Sequence, residues 1–331
     1  MMGLPLLAAG VNVWTDSYSE FGLVQPDKSP AALERKYADG DSEFVELRNA
    51  RVHYRDEGQH DGQTVVMIHG GYSSLHTWDG WVSALADEFR LVRLDLPGFG
   101  LTGPREGEHT VSELIKTVAA LCESLELSDV TVAGSSLGGG VAWRLAVARS
   151  DLVSRLLLLN AGGATLLSVL SRKLVSVAGP FAQRYMSPRV AARLVLRNAY
   201  GDVRALTDET VRRYHELLLR RGNRKAIAEL ARNYERDHFD PEADDRGVRL
   251  PTVSAHGLTP DVWDDFEIRD VSVPTLFQWG AEDSWLPEAF GRELAARVPD
   301  SSFLSYDGVG HMPMEETPER TAADAAAFFS A

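Results

Sequence analysis

Residues 131–140 read Thr-Val-Ala-Gly-Ser-Ser-Leu-Gly-Gly-Gly, an apolar run that turns through glycines into the helix-like segment 141–149. In a strand–turn–helix setting the pattern G-x-S-x-G lifts its serine to the tip of a tight turn. Side chains two residues either side of such a tip would collide, and Gly134 and Gly138 remove them. Ser136 is therefore a candidate nucleophile. Phosphate-binding loops also use glycine-rich turns, but Gly140 stands where G-x-x-x-x-G-K-[ST] needs its lysine. A serine hydroxyl is a weak nucleophile near neutral pH, so a histidine must take its proton and a carboxylate must orient that histidine.

Those partners have to be delivered by the elements around the turn. Segments 44–47 and 51–55 suit a hairpin, and 64–68, 90–94, 130–133, 155–159, 274–279 and 302–306 read as further strands. Helical spacing lies between them at 74–86, 110–126, 141–149, 287–297 and 317–329. Strand alternating with helix predicts an α/β fold, a mostly parallel central sheet with helices on both faces. Chemistry in such a sheet gathers at the carboxyl ends of the strands.

That rule selects the partners. His311 follows Gly310 on the loop after the final strand, whereas His215, His238 and His256 fall outside the sheet-forming segments. Asp283, four residues beyond Trp279, is the preferred acid; Glu282 and Asp307 are alternatives, and Asn160 at its own strand end cannot ionise. An oxyanion needs two fixed N–H donors. Leu137, directly after Ser136, and Gly71, in the loop after His69-Gly70, are placed to supply them, with Tyr72 second to Gly71. Trp78, Trp285 and Leu286 lie just past strand ends and are candidate pocket-lining residues; Tyr72, Trp78 and Trp285 are the candidate substrate-binding residues. Trp143 and Trp279 read as core, and His53 and His76 as satisfied polar residues. A second glycine motif, Gly98-Phe-Gly-Leu-Thr-Gly103, matches a dinucleotide fingerprint, but Pro104 and a polar stretch replace the helix whose dipole would face a pyrophosphate.

At 44% hydrophobic and 25% charged residues over 331, the chain has an ordinary globular composition. Its single cysteine, Cys122, excludes an intrachain disulfide, and neither a cysteine cluster nor an H-E-x-x-H pair offers a metal site, so no metal or cofactor is expected. A net charge of −14 argues against nucleic acid as a partner. The charge is uneven, +6 over residues 162–260 and −20 over the rest. Strand signals also stop there: spacing is helical from 166 to 234, then looser around Pro251 and Pro260. The chain thus divides into an N-terminal extension (1–40, with a short helix at 31–37), a core (41–161 and 271–331) and a helical cap (162–270). The basic cap either docks on the acidic body or meets anionic substrates or a membrane surface. Residues 1–10 are apolar but have no Lys or Arg before Lys28, a poor secretory signal, so the expected compartment is the cytoplasm, with peripheral membrane contact through that terminus or the cap as a second use.

His69-Gly70-Gly71, Asp95-Leu-Pro-Gly-Phe-Gly100, Gly134-Ser-Ser-Leu-Gly138, Gly280-Ala-Glu-Asp283 and Gly310-His311 resemble, in order, the marks of α/β-hydrolase-fold proteins that carry a helical cap. The resemblance spans residues 44–331 and implies that fold, with Ser136, Asp283 and His311 as a catalytic triad and no cofactor. Haloalkane dehalogenases and epoxide hydrolases of that family use aspartate where this chain has Ser136. The chain is most similar to serine esterases and lipases, which implies a small-molecule ester or related acyl substrate. Carbon–carbon hydrolases of meta-cleavage-type diketones are the alternative, although Gly71-Tyr-Ser-Ser74 lacks their Gly-Pro-rich loop. A non-catalytic ligand-binding protein and an acyltransferase are further readings.

Overall fold

The computed structural model describes residues 25–162, 189–238 and 267–331. One eight-stranded sheet runs in the order β1-β2-β4-β3-β5-β6-β7-β8. Its strands are β1 (Glu43–Leu47), β2 (Ala50–Gly58), β3 (Thr64–Ile68), β4 (Arg90–Leu94), β5 (Val130–Ser135), β6 (Val153–Leu159), β7 (Thr275–Gly280) and β8 (Ser301–Tyr306). β2 is antiparallel to both β1 and β4, and every other pairing is parallel.

Period-two alternation gives the sheet two cores. β3 sends Val66 and Ile68 into one and Val65 and Met67 into the other. The first core is closed by α3 (Val111–Ser124), α4 (Leu137–Ala148) and α8 (Glu288–Ala295), through Leu114, Leu121, Val141, Leu145 and Leu294. The second is closed by α2 (Asp79–Leu85) and α10 (Pro318–Phe329), through Trp81, Leu85, Ala325 and Phe329. The expected α/β architecture is therefore present.

Three local departures have physical causes. Arg48 and Asn49 sit at φ 50° and 60°, a two-residue turn of the kind that matches strand twist, so Ala50 begins β2 instead of ending the turn. β2 then runs beyond residue 55 because its charged end is neutralised from β4: Arg90 holds Asp56 at 2.9 and 2.6 Å, and Arg93 holds Glu57 at 2.6 and 2.9 Å. α4 starts at Leu137, four residues before propensity suggests, with Gly138 inside its first turn. A Cβ on Gly138 would lie 2.3 Å from the Ile68 carbonyl oxygen, so glycine is what lets this helix press onto β3.

Between β6 and β7 stand α5 (Arg189–Ala199), α6 (Asp208–Leu218) and α7 (Asn223–His238), as the helical spacing predicts. Leu196, Tyr200 and Tyr214 join the second core, while Ile227, Leu230 and Tyr234 join the first. α1 (Pro30–Tyr37) and residues 25–29 are tied to this insertion. Lys28 N–H donates to the Leu219 carbonyl at 2.7 Å and its own carbonyl accepts Arg221 N–H at 3.0 Å. Lys28, Lys36 and Tyr37 converge on Glu216. Residues 1–10, the stretch 166–188, Pro251, Pro260 and His256 lie outside the described residues. Among the described residues no helix is long and apolar enough to cross a membrane.

Candidate active site

Ser136 follows β5 and precedes α4 with φ 52° and ψ −115°, the left-handed region that an L-residue adopts only under constraint. Its constraints are hydrogen bonds on both sides: its N–H donates to the Leu159 carbonyl at 3.0 Å, and its carbonyl accepts Gly140 N–H at 3.1 Å. Leu137 is the first residue of α4, so its N–H has no intrahelical acceptor.

The loop after β3 passes close by. A Cβ on Gly70 would lie 3.2 Å from Cβ of Ser136. His69 is fully buried; its Nε2 accepts Leu96 N–H at 3.0 Å, which leaves Nδ1 to donate to the Gly70 carbonyl at 2.7 Å. Burial lowers the pKa of this imidazole, so it stays neutral in that tautomer. The Gly70 carbonyl also accepts Ser73 N–H at 3.3 Å. In a trans peptide the C=O and the following N–H point in opposite directions, so fixing the Gly70 carbonyl fixes the aim of Gly71 N–H. His69 is thus a site residue that sequence reasoning used only as a motif letter.

Asp283 and His311 meet at the ends of β7 and β8. His311 Nδ1 donates to Asp283 Oδ2 at 2.7 Å, and both side chains are almost wholly buried. Asp283 Oδ1 accepts Trp285 N–H at 2.8 Å and Leu286 N–H at 3.0 Å. Burial by itself would raise the Asp283 carboxyl, but the His311 ring and these donors outweigh it and hold the pKa below the usual range. A further donor is Asn160, whose Nδ2 reaches Asp283 Oδ2 at 2.6 Å while its Oδ1 accepts Gly280 N–H at 3.1 Å. Asn160 was set aside on sequence because it cannot ionise; its place at a strand end beside Ser136 was the signal.

The remaining expectations divide. Trp285 lies over His311, ring centroids 4.8 Å apart, and its Nε1 donates to Asn198 of α5. Tyr72 follows Gly71 with φ 62°, and burial pushes its phenol up to about 12. Trp78 is fully buried in the second core against Trp81 at 5.1 Å, so its ring serves packing. His53 and His76 are satisfied: His53 Nδ1 bonds Asp95 at 2.8 Å, and His76 sits between Ser74 Oγ and the Tyr37 carbonyl. Asp95 also accepts Leu75 and Leu101 N–H at 2.7 Å each, which ties together the loops after β3 and β4. Among the described residues no three His, Cys, Asp or Glu side chains gather as a metal site would need.

Residues 65–325 match the Alpha/beta hydrolase family. The chain belongs to the alpha/beta hydrolase family. Its relatives in that family include the pimeloyl-[acyl-carrier protein] methyl ester esterase of Vibrio cholerae, 28% identical over 79% of this chain and 91% of the relative. Another is the 2-hydroxy-6-oxononadienedioate/2-hydroxy-6-oxononatrienedioate hydrolase of Cupriavidus pinatubonensis, 25% identical over 82% of this chain and 86% of the relative. Among solved structures, a thermophilic esterase from Thermogutta terrifontis superposes with a TM-score of 0.66 at 21% identity, over 87% of this chain and 98% of that one. The alpha/beta hydrolase assignment makes this chain a hydrolase and agrees with the fold expected from the sequence.

Proposed function

We propose that this alpha/beta hydrolase cleaves carboxylic esters through an acyl-enzyme formed on Ser136. The observation that carries the reading is the 2.7 Å bond between Asp283 and a buried His311, with the left-handed turn of Ser136 at the end of β5, across β6 from β7 in the same sheet. His311 Nε2 takes the Ser136 hydroxyl proton as Oγ attacks the acyl carbon. The tetrahedral oxyanion accepts from the amides of Gly71 and Leu137, and Asp283 steadies the imidazolium. His311 then gives its proton to the leaving alcohol, and a water deprotonated by His311 releases the acid and restores Ser136. Helices α5–α7 act as the cap that sets which acyl group enters.

Four insertion arginines are already paired with carboxylates of the protein, which leaves fewer cations for an anionic acyl group. Arg193, Arg204 and Arg224 are bound to Asp208, Asp202 and Asp27, and Arg213 lies between Asp79 and Glu315, so these insertion cations are already engaged by the protein's own carboxylates. The relative named for an oxononadienedioate supports a second reading, carbon–carbon hydrolysis of a dienoate diketone. Comparing turnover of p-nitrophenyl esters with that of such a dienoate separates the two. Ser136→Ala is expected to lower ester turnover by roughly 10⁴–10⁶-fold while circular dichroism stays unchanged. An organophosphonate should label the wild type once, at Ser136; a fully active Ser136→Ala variant would overturn the assignment.

A further inference from the structure

Two consecutive carboxylates follow His311 in the single turn α9 (Pro313–Glu316), and both reach the insertion. Glu315 accepts from Thr77 at 2.5 Å, Tyr200 at 2.5 Å and Tyr214 at 2.6 Å. Among the described residues Glu316 binds only main chain. Its Oε1 accepts Gly310 N–H at 2.9 Å and Met312 N–H at 3.3 Å, the amides on either side of His311. Its Oε2 accepts Gly201 N–H at 2.8 Å and Asp202 N–H at 3.1 Å, in the linker after α5. The amide of His311 itself donates to the Ala199 carbonyl at 2.6 Å.

Three consecutive amides around His311 are therefore held, two by Glu316 and one by Ala199 at the end of α5. The two backbones also touch: a Cβ on Gly310 would lie 2.3 Å from the Ala199 carbonyl oxygen and 2.4 Å from Gly201 N. A carboxylate that merely capped α9 would need only the local pair of donors. The second pair, 114 and 115 residues away in sequence, is what a cap contact does not explain.

We infer that Glu316 is a positioning residue of the catalytic site: it sets the His311 backbone against Asp283 and fastens it to residues 199–202, so that seating the insertion and seating the histidine are one event. The inference rests on the triad reading above. An amide cannot replace this carboxylate, because Glu316→Gln offers one acceptor oxygen to two pairs of donors and turns an NH2 toward the pair it abandons. A displacement of His311 near 1 Å is worth about 100-fold in rate.

The test compares wild type, Glu316→Gln, Gly201→Ala and Glu319→Gln. Glu319 is an exposed acid that controls for loss of charge. Gly201→Ala disturbs the same contact from the insertion side, since its Cβ would lie 2.7 Å from Gly310 N. Organophosphonate titration counts active sites, so kcat is expressed per working site and an unfolded fraction drops out. Expected for Glu316→Gln and Gly201→Ala is a kcat per site lower by about 10- to 100-fold, little change in KM for p-nitrophenyl acetate, and loss of the far-downfield proton signal of His311 Nδ1–H. Glu319→Gln should match wild type. Wild-type kcat per site with an unchanged downfield signal in Glu316→Gln overturns the inference; if that variant yields no folded protein, the same outcome in Gly201→Ala does so. Absence of any Ser136 adduct in the wild type instead overturns the triad reading and, with it, this one.

Discussion

Asn160 shows how much one uncharged side chain can settle. Its φ of 41° is a conformation asparagine tolerates better than most residues, and its amide works in two directions, donating to Asp283 and accepting from Gly280. Asn160→Ala should leave Gly280 N–H unpaired in a buried setting, at about 1–3 kcal/mol of stability, and free one oxygen of Asp283. Turnover per active site should fall on the order of tenfold, with thermal unfolding reporting the stability loss and p-nitrophenyl ester kinetics the rate. Full activity in that variant would mean that Trp285 and Leu286 amides suffice to orient the acid. At this scale Ser136, Asp283 and His311 were legible because each sits at a strand end with glycine nearby. Asn160 and His69 were not, since a search for nucleophile, base and acid passes over groups whose work is to hold others.

Among the elements, strands were read most faithfully where they are apolar. Segments 64–68 and 90–94 coincide with β3 and β4. The charged end of β2 was invisible because its stability comes from across the sheet. Arg93 is the hinge of that arrangement: nearly buried, it forks onto Glu57, bonds Asp79 at the start of α2 and donates to the Leu75 carbonyl at 3.2 Å. Arg93→Met should destabilise the fold by about 2–3 kcal/mol, below the ~3–5 typical of a severed buried pair, because Glu57 and Asp79 retain some access to water. Urea unfolding measures this, and a loss under 1 kcal/mol would show the network to be surface decoration. α9 escaped sequence reading for the opposite reason. It is a four-residue turn that begins at Pro313 and stops short of Pro318, too short for any periodicity, and only Glu316's distant donors reveal its use.

For the whole molecule, ion pairs among the described residues join the basic insertion to the acidic remainder. Arg213 meets Asp79 and Glu315 of the core, and Arg224 meets Asp27 of the N-terminal extension. Buried histidines give the molecule an acid limit. His76 is pushed down from 6.5 to about 4, chiefly by burial, and His69 is lowered for the same reason. Each takes up a proton more readily when unfolded, so stability is intact above pH 6.5 and declines as pH falls from there toward the folded values. His76 alone accounts for about 3 kcal/mol of that decline. Asp95 and Asp283, both held below the ordinary range, contribute stability that disappears only at still lower pH. Melting temperature should therefore drop between pH 6.5 and 4.5, before Asp95 and Asp283 take up protons, and His76→Gln should flatten the slope. An equally steep slope in that variant would assign the acid limit elsewhere.

The left-handed backbone at Ser136 has an evolutionary corollary. A branch at Cβ is intolerable there, where even an unbranched residue is strained, so threonine is barred from position 136 although its hydroxyl is as good a nucleophile as serine's. Serine, cysteine and aspartate all pass that filter. If Ser136 is the nucleophile proposed above, the turn would let one reacting atom be exchanged for another, from alkoxide to thiolate to carboxylate, without rebuilding the scaffold that presents it.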